Sequence, residues 1–212
     1  MTSEARWLAA GLTIAVVAAY EAWFALAQRR RPGQLARSAH ATLREDWFEA
    51  VSQQPGSEVL AVQTLRNSLM SASMIASTAV LGLMGTVTLS ASSLNASLGS
   101  GGVFDLHPRL AVELILLALL FAALVASVMA VRYYNHAGFV GAMPVSSEAR
   151  RRWHAIGSSH VRRAGVLYSW SLRHLVLVVP AVAFILHPAA GPVAAVLVVL
   201  VLFGFDRVPA WA

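Results

Sequence analysis

The chain has 212 residues, 58% of them apolar and 12% charged, with a mean hydropathy of +0.65; this composition excludes an ordinary soluble domain and leaves room for one membrane domain. It contains no cysteine, so disulfides, thiol catalysis, iron–sulfur clusters and thiolate zinc sites are excluded. The net charge of +6 and the pI near 11.0 come from arginine alone, with no lysine. Because these arginines lie beside apolar runs, topology and anionic headgroups account for them better than nucleic acid does.

Trp7 to Ala27 is the first expected span, long enough at 1.5 Å per residue for a hydrocarbon core of about 30 Å. Only Arg6 precedes it as a basic residue, and the apolar run is too long for a signal peptide, so it reads as a retained helix. Arg29-Arg30-Arg31-Pro32-Gly33 stops it. Residues 34–54 follow, with Leu35, Ala39, Leu43 and Trp47 at four-residue steps opposite Arg37, Arg44, Glu45 and Glu49, and Pro55-Gly56 ends the segment. Such a pattern predicts an amphipathic helix on the inner leaflet.

The second span, about 65–94, is rich in Ser, Thr, Ala and Gly. Asn67, Ser71, Met74, Thr78, Gly82 and Gly85 fall on one stripe at 100° per residue, which predicts close helix packing or a pore lining and a central place in the bundle. Asn95–Gly102 reads as an external loop. The third span, 110–131, carries Glu113 near its outer end, where a solvated carboxylate is expected. Arg132-Tyr133-Tyr134-Asn135-His136 continues it to the inner surface, and Gly138, Gly141 and Pro144 are expected to break it. Ser146 or Ser147 is a predicted cap for a basic cytoplasmic helix, 146–163. A fourth span, 166–186, contains Pro180, and a fifth, 189–208, follows the turn at His187–Pro192.

Fourteen of the sixteen arginines fall in segments expected on one side of the membrane; only Arg6 and Arg109 fall on the other. Basic residues resist translocation, so the reading is an all-α polytopic bundle of five transmembrane helices, N-terminus out and C-terminus in. Four spans plus a re-entrant hairpin is the rival arrangement. No internal repeat of 20–50 residues supports an inverted-repeat transporter. The expected location is the cytoplasmic (inner) membrane of a bacterium.

Charged residues in hydrocarbon are costly unless paired. Glu21, roughly 9 Å deep on helical rise, is expected to pair with Arg173, with His174 beside it and Arg66 and Arg132 at the same leaflet. An arginine-ringed vestibule for an anion and a simple helix lock are both open readings. Only His174 lies inside an expected span, His136 sits at the end of another, and no His-x3-His or His-Glu-x-x-His pattern occurs. No haem, metal or other cofactor is therefore expected. The hydroxyls of the second span lack a neighbouring base or a nucleophile turn, so no catalytic residue is expected.

Two blocks carry a resemblance. Val62-Gln63-Thr64-Leu65-Arg66-Asn67-Ser68-Leu69-Met70, leading into Ala76-Ser77-Thr78-Ala79, and Arg132-Tyr133-Tyr134-Asn135-His136-Ala137-Gly138-Phe139 resemble two blocks of domain-of-unknown-function family 599, small multi-span proteins of bacteria and plants. The resemblance implies a membrane fold and points at Gln63, Arg66, Asn67, Asn135 and His136; it implies no reaction. On adjacent antiparallel helices these blocks are expected to face each other near Arg173-His174. The expectation is a non-enzymatic membrane protein that self-associates into a channel or transport-like assembly. The alternative is a structural or accessory subunit that docks other membrane subunits through its arginine-rich helices.

Overall fold

A computed structural model describes residues 2–30, 35–99 and 106–207. These residues form six helices: α1 (Ser3–Arg30), α2 (Ala36–Gln53), α3 (Glu58–Gly99), α4 (Pro108–Ala142), α5 (Glu148–Leu186) and α6 (Ala190–Phe205). Among the described residues there is no strand. Four helices, α1, α3, α4 and α5, are long and apolar enough to cross a membrane, whereas α6 is apolar but has only 16 residues. The chain is an all-helical membrane bundle.

The pair α4–α5 forms the centre. α3 lies along α4, α2 lies along the basic first half of α5, and α6 packs between α5 and α1. Apolar side chains fill the contacts in three layers. Phe48, Leu65, Tyr134, Ala137 and Val161 close the basic end; Tyr20, Leu177, Val198 and Leu202 fill the middle; Ala10, Val112, Leu116 and Phe184 close the other end. Burying Phe48 completely contributes on the order of 3 kcal/mol.

The second span is not central. α3 is an edge helix whose buried face, Leu65, Ala72, Ala79 and Thr86, recurs every seven residues against α4. Small side chains at that spacing make a flat seam, as in paired helices elsewhere. Of the stripe expected to pack, Gly82 touches α4, where a Cβ would come within 2.9 Å of Leu120, while Gly85 has nothing within 4 Å. Thr78 and Asn67 are exposed, and Ser71 is half-buried. The exposed hydroxyls can turn away from other helices because each bonds its own backbone: Thr78 Oγ1 donates to the Met74 carbonyl at 3.0 Å and Ser71 Oγ to that of Asn67 at 3.1 Å.

α2 also turns differently from the expected stripe. It buries Arg37, Ala41, Phe48 and Val51 and leaves Leu43 outward, because its polar residues find partners on α5. The expected loop at Asn95–Gly102 is helical as far as Gly99, its remainder lying outside the described residues. α4 runs through Gly138 and Gly141 and ends at Ala142. A glycine costs a helix only about 1 kcal/mol, and at Gly141 it lets Leu65 of α3 approach to 3.4 Å of the absent Cβ. α5 starts on the expected cap, with Ser147 Oγ accepting from the Arg150 amide at 3.1 Å, and continues through Pro180.

Candidate functional site

The helical phase of α1 puts Tyr20, Glu21, Phe24 and Gln28 on one side, and that of α5 puts Trp170, Arg173, His174 and Leu177 on another, positions that recur at each helical turn. Where these sides meet, Arg173 is only 4% exposed. Its Nε donates to Glu21 at 2.7 Å and its Nη1 to Asp206 at 2.5 Å, while the Tyr20 hydroxyl donates to the same Asp206 oxygen at 2.6 Å. The guanidinium also sits 4.0 Å from the Phe24 ring centre.

A second arginine completes the cluster. Arg37, 7% exposed, packs over the Phe24 ring at 4.5 Å and the Trp170 ring at 4.1 Å, and Nη1 donates to Gln28 at 3.0 Å. Burial, with Arg173 nearby, pulls the Arg37 guanidinium down to about 10, so it stays charged at neutral pH. The backbone closes the same junction, since the Ala36 amide donates to the Asp206 carbonyl at 3.0 Å and Leu35 bridges Arg207. Two guanidiniums and two carboxylates thus balance in a shielded place where four chain segments meet. Its chemistry is that of a clamp: charge-assisted bonds and aromatic faces, each stronger away from water. Among the described residues, Arg37 Nε, Arg173 Nη2 and His174 Nδ1 are buried there without a protein partner, and the two guanidinium N–H groups offer donors to an acceptor, water or anion.

Along α2 and α5, run antiparallel, three polar contacts follow in order. Glu45 meets Arg162 at 2.5 Å, Glu49 meets His154 at 2.5 Å, and Ser52 accepts from Arg150 at 2.8 Å. Arg150 also donates to the Val140 carbonyl and joins α4 to this face. The hydrogen bond from Gln53, followed by the one with His154, holds the Glu49 carboxyl below its usual range. Gly157 makes the contact possible, because a Cβ there would lie 2.9 Å from the Phe48 ring and from Val140.

The residues expected to form a single inner-leaflet cluster separate into three groups. Glu21 and Arg173 meet, and His174 stacks on Trp170 with ring centres 5.5 Å apart. Arg132, Asn135 and His136 are exposed on α4, with the His136 ring 5.6 Å from that of His160. Gln63, Arg66 and Asn67 are exposed on α3. The reason is phase: Leu65 and Tyr134 occupy the α3–α4 seam, and one residue further along turns a side chain by about 100°. Glu113 is buried instead of solvated, its Oε1 accepting from Arg109 Nε at 2.9 Å.

Sequence reasoning missed Arg37, read as part of a polar face, and missed Tyr20 and Asp206. For Asp206 a signal existed: it is the only acidic residue after Glu148, next to apolar runs that carry a single arginine. Among the described residues no three potential ligand side chains come together as a metal site.

A family model described as "Protein of unknown function, DUF599" matches residues 8–210, and the chain belongs to that family. The comparisons with curated proteins and with solved structures returned no match.

Proposed function

We propose that this member of the family is a non-enzymatic protein of the bacterial inner membrane that works as a homo-oligomer, its copies meeting through the outward side of α3 to form a channel or transport-like assembly. The observation that carries the reading is the exposure of that side. Met74 and Leu81 are 71% and 72% exposed, beside Asn67, Thr78 and the open surface at Gly85. Open backbone and small polar groups on an apolar helix favour helix–helix contact in lipid. A path for polar solutes would lie between copies, because the Arg37–Arg173 cluster is closed within one chain. In this reading that cluster is the rigid inner frame of the assembly.

Five crossings with the N-terminus outside belong to the same proposal. They rest on the arginine asymmetry and on α6 running back along α1 from the α5–α6 turn to bring Asp206 to Tyr20 and Arg173.

The test is the mass of the particle in native nanodiscs. A uniform ring of identical subunits is the expected result, and a monomer rejects the reading. Co-purification with other chains would favour the second reading, an accessory subunit in contact with anionic lipid and other membrane proteins. That reading draws on the outward Trp153 and Ile156 among the exposed Arg151, Arg152 and Arg163 of α5.

A further inference from the structure

At the arginine-poor end of the bundle a cavity of about 460 Å³ opens between the starts of α1 and α4 and the α5–α6 turn. The two arginines that stand apart from the other fourteen, Arg6 and Arg109, both line it, together with Ser3 and His107. Chance would not be expected to gather the scarce cations of this end at one cavity. Phe184 and Pro188 form an apolar wall. α4 starts here behind His107 with Pro at its first turn, no acidic residue in that turn and, among the described residues, no side-chain cap, so its positive dipole end faces the cavity. Arg109 Nε donates to the buried Glu113 at 2.9 Å, a bond that braces the guanidinium at the cavity.

We propose that this cavity binds a phosphate group, carried by a lipid headgroup or by a free anion. Guanidiniums, a hydroxyl, an imidazole and a helix N-terminus are the donors that phosphate oxygens select. The apolar wall suits the glycerol and first methylenes of a lipid.

The test uses the full chain in maltoside micelles and measures binding of three probes: dioleoylphosphatidylglycerol, dioleoylglycerol (which lacks phosphate) and inorganic phosphate. Phosphatidylglycerol is expected to bind and dioleoylglycerol to bind at least tenfold more weakly. Arg6→Gln, at an exposed position, should weaken phosphatidylglycerol binding about tenfold, as expected for loss of a charged hydrogen bond. His107→Gln should weaken it several-fold, and Arg163→Gln, at the other end, should leave it unchanged. Saturable binding of inorganic phosphate with the same dependence on Arg6 assigns a free anion; binding of the lipid alone assigns a headgroup. Binding that ignores Arg6 and His107, an equal loss in Arg163→Gln, or no binding of either phosphate probe overturns the site.

Discussion

Arg173 is the side chain on which the junction of α1, α2, α5 and α6 depends, because two carboxylates and a phenol are arranged around it. Replacing it by Met removes the direct ion-pair partner of Glu21 and Asp206 and leaves only Arg37 nearby, and breaking a buried pair in this way costs about 3–5 kcal/mol. Thermal unfolding in detergent should place Arg173→Met far below Tyr20→Phe, which loses one hydrogen bond worth about 1 kcal/mol. If the two variants unfold at the same temperature, the arginine does not organise the junction. Glycines supply a second test. Gly157→Ala gains about 1 kcal/mol of helix propensity but drives a methyl to 2.9 Å from the Phe48 ring, and overpacking at about 1–3 kcal/mol wins. The variant should be destabilised. Gly138→Ala, in open space on α4, should be neutral or stabilising by comparable calorimetry. The Glu21–Arg173 pair could be anticipated, since two opposite charges at one depth in hydrocarbon have few cheap alternatives. Arg37 could not, because its burial depends on how α2 rotates against α5, and nothing within α2 itself encodes that angle.

At the scale of the helices, α2 is fastened to α5 by Glu45–Arg162, Glu49–His154 and Ser52–Arg150. The depressed Glu49 value carries a direction for pH. A carboxyl more acidic in the fold than in the unfolded chain stabilises the fold above the unfolded value, about 4.3, and that contribution fades as pH falls through the folded value. Hydrogen-exchange protection of α2 should therefore decrease as pH drops through the lower carboxylate range, and the decrease should be shallower in Glu49→Gln. An identical pH profile in the two proteins would show that the contact with His154 and Gln53 is not what titrates. The helices themselves were legible from apolar periodicity and length; their rotation about their own axes was not. α3 is the clearest case. Its Ser, Thr and Gly stripe looked like the packing side, yet the seam is made by Leu65, Ala72, Ala79 and Thr86. Two stripes of small residues lie on the same helix, and a choice between them needs the partner surface of α4. The polar blocks around Arg66-Asn67 and Asn135-His136 miss each other for the same reason.

For the molecule as a whole, the contrast between its two flanks is the main asymmetry. α5 is covered on several sides by α4, α6 and α2, while α3 rests on α4 and leaves half its circumference outward. Membrane character and four of the long helices follow from the sequence; assembly is a property of surfaces, which one chain does not display. Gly85 separates folding from association. With nothing within 4 Å of a Cβ there, Gly85→Ala should leave the isolated chain as stable or up to about 1 kcal/mol more stable, while Gly85→Leu should dissociate the proposed oligomer by filling the contact.

The most direct measurement uses the natural absence of cysteine. Single-cysteine variants Asn67→Cys, Thr78→Cys and Gly85→Cys are oxidised in native membranes beside Ala79→Cys, whose position is fully buried against α4. Disulfide-linked homodimers are expected for at least one of the outward positions and none for Ala79→Cys. Absence of dimers at all three outward positions, in membranes where the protein is folded, would contradict assembly through α3.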